Sequence, residues 1–151
     1  MFIEKNYLFE KMRPELRDQV FALAEECSYA EGDHVFSRGD SAEYLYILEE
    51  GRIRVSVGDL GSVARTIRNS GDLFGWSSLV GPGKYTASAQ CLTRSTVLRL
   101  SGRRVNELLE GDPSEGLEFY RRLAGFIRAR LIDTYRALLT YDPEKKPHSY
   151  G

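Results

Sequence analysis

Tyr44-Leu45-Tyr46-Ile47-Leu48-Glu49-Glu50-Gly51-Arg52-Ile53-Arg54-Val55-Ser56-Val57-Gly58-Asp59 decides the fold class of this chain. Successive residues of a strand point to opposite faces, so Tyr44, Tyr46 and Leu48 share one face and Leu45 and Ile47 the other, a strand apolar on both sides. After the turn at Gly51, Ile53, Val55 and Val57 alternate with Arg52, Arg54 and Ser56, a strand with one face in a core and one in water. Outward from this hairpin, Gly32-Asp33, Gly39-Asp40, Gly51, Gly58-Asp59, Gly61 and Gly71-Asp72 recur, the close pair Gly58 and Gly61 apart, at intervals of about 7 to 12 residues, close to the rhythm of an all-β sandwich or barrel. Val63 to Ile67, Tyr85 to Leu92 and Thr96 to Leu100 read as further strands. About eight short strands between Ser28 and Leu100 predict an eight-stranded jelly roll, a double-stranded β-helix closing two sheets over one core.

Helices flank the roll. Phe9, Met12, Leu16, Val20, Phe21, Leu23 and Ala24 form an apolar stripe at helical spacing, and Pro14 suits a first turn, which predicts a helix from about Pro14 to Cys27. After Leu100, Ser101 can cap a helix carrying Val105, Leu108 and Leu109 that stops at Gly111. Asp112-Pro113 then opens a longer helix to about Tyr141. On it Leu117, Tyr120, Ala124, Ile127, Leu131, Thr134 and Leu138 make a heptad seam, with Phe119, Leu123 and Phe126 as a second stripe beside it. One stripe packs on the β body and the other on a partner, so a homodimer through Leu117, Tyr120, Ile127, Leu131, Thr134 and Leu138 is expected. Pro143, Lys145, Lys146 and Pro147 end regular structure, giving a folded domain over 1–142 and a loose tail over 143–151.

Composition narrows the function. The 151 residues are 42% hydrophobic and 28% charged with a formal charge of -1, so this is one folded domain without a global positive field toward nucleic acid or anionic membrane. No run approaches the roughly 20 apolar residues of a membrane span. Cys27 and Cys91, with no leader ahead of them, read as reduced thiols, and a cytoplasmic location is expected. His34 and His148 stand in no metal-ligand spacing, which argues against the His-carboxylate site of a jelly-roll metalloenzyme. Ser77 and Ser78 sit in no GxSxG elbow, Cys91 has no nearby His, and Glu49-Glu50 point to opposite faces of a strand end. A non-enzymatic protein is expected.

Gly71-Asp72-Leu73-Phe74-Gly75-Trp76-Ser77-Ser78-Leu79-Val80, followed by Tyr85-Thr86-Ala87-Ser88-Ala89, resembles the phosphate-binding cassette of cyclic nucleotide-binding domains. Gly32-Asp33-His34-Val35-Phe36-Ser37-Arg38-Gly39-Asp40 and Tyr44 to Gly51 resemble the upstream strands of the same family, in the form found in the effector domain of catabolite activator proteins. The resemblance runs from about Phe9 to Leu139 and implies a ligand site built from Phe74, Gly75, Trp76, Ser77, Ser78, Tyr85, Thr86 and Ala87, with Thr134 of the long helix reaching the base. Backbone N–H groups of Gly75, Trp76 and Ser78 around a concavity suit an anion without any charged side chain.

Two signature side chains of that family are missing. Trp76 stands where a glutamate accepts the ribose hydroxyl, and Tyr85 where an arginine meets the cyclic phosphate. A lost charge-assisted bond of the arginine type forfeits roughly 1.5 to 3 kcal/mol, so weak cyclic AMP and cyclic GMP affinity is expected. Lys84 neighbours Tyr85, but strand alternation sends it to the opposite face. Trp76 and Tyr85 either stack a planar ligand at the mouth of the roll, aided by Ser77, Ser78 and Thr86, or fill a vestigial pocket. Thr134 has an alternative role as a register-setting polar residue of the seam. Arg121, Arg122, Arg128, Arg130 and Arg136 read as a solvated face. Family members that regulate transcription follow the long helix with a helix-turn-helix module, and since this chain stops about ten residues past Tyr141, direct sequence-specific DNA binding is not expected. The implied function is a stand-alone sensor for a cyclic nucleotide or related small molecule that signals through the dimer helix. The alternative is an interaction module that keeps the fold and the dimer without a ligand.

Overall fold

A computed structural model describes residues 6–58 and 63–140, so the expected turn at Asp59 and Gly61 and the tail lie outside the described residues. The chain runs α1 (Tyr7–Glu10), α2 (Pro14–Phe21), β1 (Glu25–Tyr29), β2 (His34–Phe36), β3 (Tyr44–Glu50), β4 (Ile53–Val57), β5 (Val63–Ile67), β6 (Leu73–Phe74), β7 (Ser88–Cys91), β8 (Ser95–Ser101), α3 (Gly102–Glu110) and α4 (Pro113–Thr140). Two four-stranded antiparallel sheets form, ordered β1-β8-β3-β6 and β2-β7-β4-β5. This is the jelly roll read from the glycine rhythm.

The doubly apolar strand sits where its pattern requires. β3 lies inside the first sheet between β8 and β6. Leu45 and Ile47, both 0% exposed, enter a core shared with the helices, while Tyr46 and Leu48 enter the space between the sheets. The helix-side core takes Leu98 and Leu100 from β8, Leu8, Phe9, Leu16 and Val20 from the N-terminal helices, and Val105, Leu109, Phe119 and Leu123 from α3 and α4. Burial of each such side chain is worth about 1.5–3 kcal/mol, which fastens the helices to the sheet.

The N-terminal helix is shorter than its apolar stripe suggested. Pro14 does stand in the first turn, but α2 ends at Phe21, and Glu25 to Tyr29 pair with Arg99 to Ser95 as β1. Leu23 and Ala24 continue the stripe because the connection packs against the same helix-side core as the helix before it. The strand expected over Tyr85 to Leu92 likewise shortens to Ser88–Cys91. Tyr85 bonds instead to the 39–40 turn, its N–H donating to Asp40 O (3.0 Å) and its carbonyl accepting from Gly39 N–H (2.9 Å).

The two C-terminal helices start as their caps direct. Ser101 Oγ accepts from Arg104 N–H at 3.4 Å, and Asp112 Oδ1 accepts from Glu115 N–H at 3.5 Å. The first half of α4 packs through Gly116, Phe119 and Leu123. Further along, Leu131, Tyr135 and Leu138 are 48%, 55% and 54% exposed. No helix among the described residues is long and apolar enough to cross a membrane.

Candidate functional site

Apart from Thr134 on α4, the expected ligand-binding residues lie at the end of β6 and within the segment that joins it to β7. β6 ends in buried Phe74, paired with Tyr46. Gly75 then takes φ +80°, a left-handed conformation natural to glycine, and a Cβ there would stand 3.1 Å from both Tyr44 O and a ring carbon of Tyr46. A 3₁₀ turn over Trp76–Ser78 follows. Within it Ser78 N–H donates to Gly75 O at 3.2 Å and Ser78 Oγ donates to the same oxygen at 2.9 Å. The Ser78 N–H thus serves the turn itself and is not offered to an anion, unlike the sequence expectation.

The turn is fastened to the helices. A Cβ on Gly102 would collide with the Ser78 carbonyl, so α3 begins in contact with the turn backbone. Asn106 Nδ2 donates to Leu79 O at 3.2 Å, and the Tyr120 hydroxyl of α4 donates to Asn106 Oδ1. Trp76, half-buried, packs on the helix-side core with its ring edge-on to Phe126 of α4, centroids 5.7 Å apart and planes at 80°. Arg130 lies over the other partner of that pair, its guanidinium carbon 4.7 Å from the Phe126 ring centre.

Tyr85 goes the opposite way. It is 5% exposed and enters the roll interior, where its ring stacks on Phe36 at 3.8 Å and 10°. Its hydroxyl donates to Tyr44 O (2.7 Å) and accepts from Tyr44 N–H (3.2 Å). Tyr46 stacks on Phe74 at 5.3 Å, and Phe36 lies 5.7 Å from Tyr46 and 6.1 Å from Phe74. Burial raises the hydroxyl pKa of both Tyr46 and Tyr85 above the ordinary phenol value, for Tyr46 with a further rise from the adjoining Tyr85 hydroxyl. The roll interior at this end is therefore an aromatic cluster of Phe36, Tyr46, Phe74 and Tyr85, with Tyr44 packed against it.

Trp76 and Tyr85 are not brought together: one belongs to the helix-side core and the other to the interior. Thr86 is exposed and Ala87 half-buried, and Lys84 is exposed beside buried Tyr85, although neither belongs to a strand. Ser88 Oγ accepts from Arg38 N–H at 2.9 Å. Thr134 turns its hydroxyl onto its own helix, donating to Arg130 O at 2.9 Å. On the outer side of the turn, Ser77 and Ser78 line an open cleft of about 820 Å³ that also contains Glu43, Arg103, Glu107 and Glu110. Three carboxylates against one guanidinium make that cleft unfavourable for a phosphate.

Sequence reasoning missed Phe36 and Tyr46 as neighbours of the site, although the shared face of Tyr44 and Tyr46 was readable from alternation. It also missed Phe126 as the partner of Trp76 and the ion pair Arg65–Asp133, which joins β5 to α4 at 3.2 Å. Nothing in the local sequence signals a pair 68 residues apart. Among the five arginines of α4, Arg121 pairs with Glu118 (3.1 Å) and Arg122 donates to Leu8 O (2.9 Å). Cys91 is buried, which raises its thiol pKa, and Cys27 is half-buried. Among the described residues no three His, Cys, Asp or Glu side chains gather in a metal-binding group.

Comparison with known proteins agrees with this architecture. The model of the cyclic nucleotide-binding domain matches residues 26–112. A cyclic AMP receptor protein of Thermus thermophilus is 32% identical over 95 residues, covering 62% of this chain and 44% of the relative. The regulatory subunit of a cAMP-dependent protein kinase from Eremothecium gossypii is 29% identical over 143 residues, covering 87% and 30%. The chain thus spans less than half the length of these curated relatives, by name a cyclic AMP receptor and a kinase regulatory subunit. A solved Geobacter metallireducens structure assigned to cyclic nucleotide-binding proteins superposes with a TM-score of 0.75 at 26% identity, over 85% of this chain and 94% of that one.

Proposed function

Because this chain belongs to the cyclic nucleotide-binding domain family, we propose that it is a regulatory domain of that family that acts without an ordinary cyclic nucleotide, through self-association along α4. The observation that carries this reading is Tyr85. Where the family places an arginine for the cyclic phosphate, this chain has a ring stacked on Phe36 with its hydroxyl engaged by the Tyr44 backbone. A nucleotide entering there would have to displace a buried aromatic ring and would find no cation in its place, a loss of roughly 1.5–3 kcal/mol from the missing charge alone. The family glutamate is likewise replaced by Trp76, which packs toward α4.

The exposed apolar side chains of α4 support the self-association. Leu117, Leu131 and Leu138 of the expected seam are about half exposed, joined by Tyr135 and Leu139. Tyr120 and Ile127 of that seam lean on the helix-side core. The seam that fits a second copy therefore centres on Leu131, Tyr135 and Leu138, with Thr134 among them as a register residue.

A second reading, a sensor for a small neutral or cationic molecule, is supported by the cleft beside Ser77 and Ser78 and by its acidic lining. Ser77, Ser78 and Ser101, which line it, would then supply polar contacts beside the carboxylates. Thermal-shift measurements separate the two, because a ligand that binds only the native state raises the melting temperature by mass action. With cyclic AMP and cyclic GMP at millimolar concentration no shift is expected. A shift of several degrees with either would overturn the proposal, and a shift with an uncharged or cationic metabolite alone would establish the second reading.

A further inference from the structure

Phe126, Arg130 and Asp133 stand at i, i+4 and i+7 on α4, one face of the helix spanning about 10 Å along its axis. Each is engaged. Phe126 takes the edge of Trp76 on one side and the guanidinium of Arg130 on the other. Asp133 pairs with Arg65 of β5 at 3.2 Å. Trp76 follows β6 of the first sheet, whereas β5 is one of the two edge strands of the second. α4 is therefore tied to both sheets, by an aromatic contact at one point and an ionic one two turns later.

We infer that these two ties form a strap that by itself holds α4 across the roll, and so fix the direction in which its apolar surface faces. The inference rests on the ligand-independent reading above. Leu131, Tyr135 and Leu138 are also spaced i, i+4 and i+7, displaced five residues from the strapped set, which places them about 140° further around the helix. A helix held by one face presents the other in a defined direction. Trp76, which replaces a ligand-binding glutamate in the family pattern, thus becomes the fastening of the output helix.

Hydrogen exchange by mass spectrometry on the full chain tests this. In the unmodified protein, amides of residues 126–134 are expected to be protected, and Trp76→Ala is expected to speed their exchange about tenfold. Asp133→Asn should speed it about twofold to threefold and remove its salt dependence, since the ion pair is half exposed. Amides of β3 and β8 monitor global stability in each variant. Unchanged exchange of 126–134 in both variants, with β3 and β8 intact, would overturn the strap. So would equal acceleration in Leu131→Asp, which would assign the protection to the partner copy. Cyclic AMP is expected to leave the pattern unchanged. Added protection with cyclic AMP would overturn the ligand-independent reading while leaving the effects of Trp76→Ala and Asp133→Asn to decide the strap.

Discussion

The two faces of the β1-β8-β3-β6 sheet carry different chemistry although they share the same strands. Toward the helices the sheet presents Leu45, Ile47, Leu98 and Leu100, and the partners are Phe, Leu, Met and Val from α1 to α4. Toward the second sheet it presents Tyr46, Leu48, Phe74 and Val97, and the partners include Phe36, Tyr85, Ala89 and Cys91. The four sheet side chains of the helix face are aliphatic and impose no directional requirement of their own, since aliphatic burial scales with area. On the interior face, hydroxyls need partners and rings need particular geometries, so each residue there is fixed by its neighbours. Tyr85 lies on this second face, held both by its ring stacked on Phe36 and by its hydroxyl on the Tyr44 backbone.

The contrast is sharpened first on the aliphatic side. Phe119→Ala removes a ring that is 0% exposed at the root of α4 and should cost about 3–5 kcal/mol in urea denaturation. Tyr85→Phe keeps the ring and deletes only the hydroxyl, leaving Tyr44 O without its 2.7 Å donor, for about 1–3 kcal/mol. A larger cost for Tyr85→Phe than for Phe119→Ala would reverse the ranking of the two faces. The same substitution has a pH signature. The native state holds the Tyr46 and Tyr85 protons above the ordinary phenol range, so above pH of about 10 it binds more protons than the unfolded chain, and stability falls as pH rises. Tyr85→Phe should flatten that fall in alkaline denaturation.

Smaller effects on stability test the exposed regions. Leu131→Asp, at a side chain about half exposed, should change monomer stability by no more than about 0.5 kcal/mol. It should nevertheless weaken self-association in sedimentation by at least about tenfold, because the seam would bury an unpaired charge. An unchanged association constant would remove α4 as the pairing surface. The smallest change is expected at Glu49, whose carboxyl pKa is raised by burial and then by the Glu26 carboxylate beside it. The native state keeps this proton longer than the unfolded chain, so stability falls as pH rises from the ordinary carboxylate range, and the deficit persists at neutral pH. Glu49→Gln should therefore raise the melting temperature slightly at pH 7 and not at pH 3.

Much of the architecture was legible because it rests on local period. The doubly apolar β3, the Ser101 and Asp112 caps and the long α4 are each specified by a few adjacent residues. The end of α2 was not, since Leu23 and Ala24 keep the helical stripe while the chain has already turned toward β1. The site was half legible. Motif order pointed to the Phe74–Ser78 and Tyr85–Ala87 segments and to aromatic residues where the resembled family carries charge, but not to the directions those rings would take. Trp76 and Tyr85 are both large aromatic residues in one loop, and only three-dimensional packing sends one to Phe126 and the other to Phe36. Arg65 and Asp133 look like ordinary surface charges until the fold sets them side by side.

Trp76 is the only tryptophan in the chain. Its indole lies at the junction of the 76–78 turn and α4, so tryptophan fluorescence, excited at the red edge where the tyrosines do not absorb, originates from one place. Emission near the blue end reports an indole shielded between turn and helix, and a shift to the red reports water reaching it as α4 lifts. The protein carries its own optical gauge of helix attachment, readable without a label and at concentrations low enough to separate attachment from pairing.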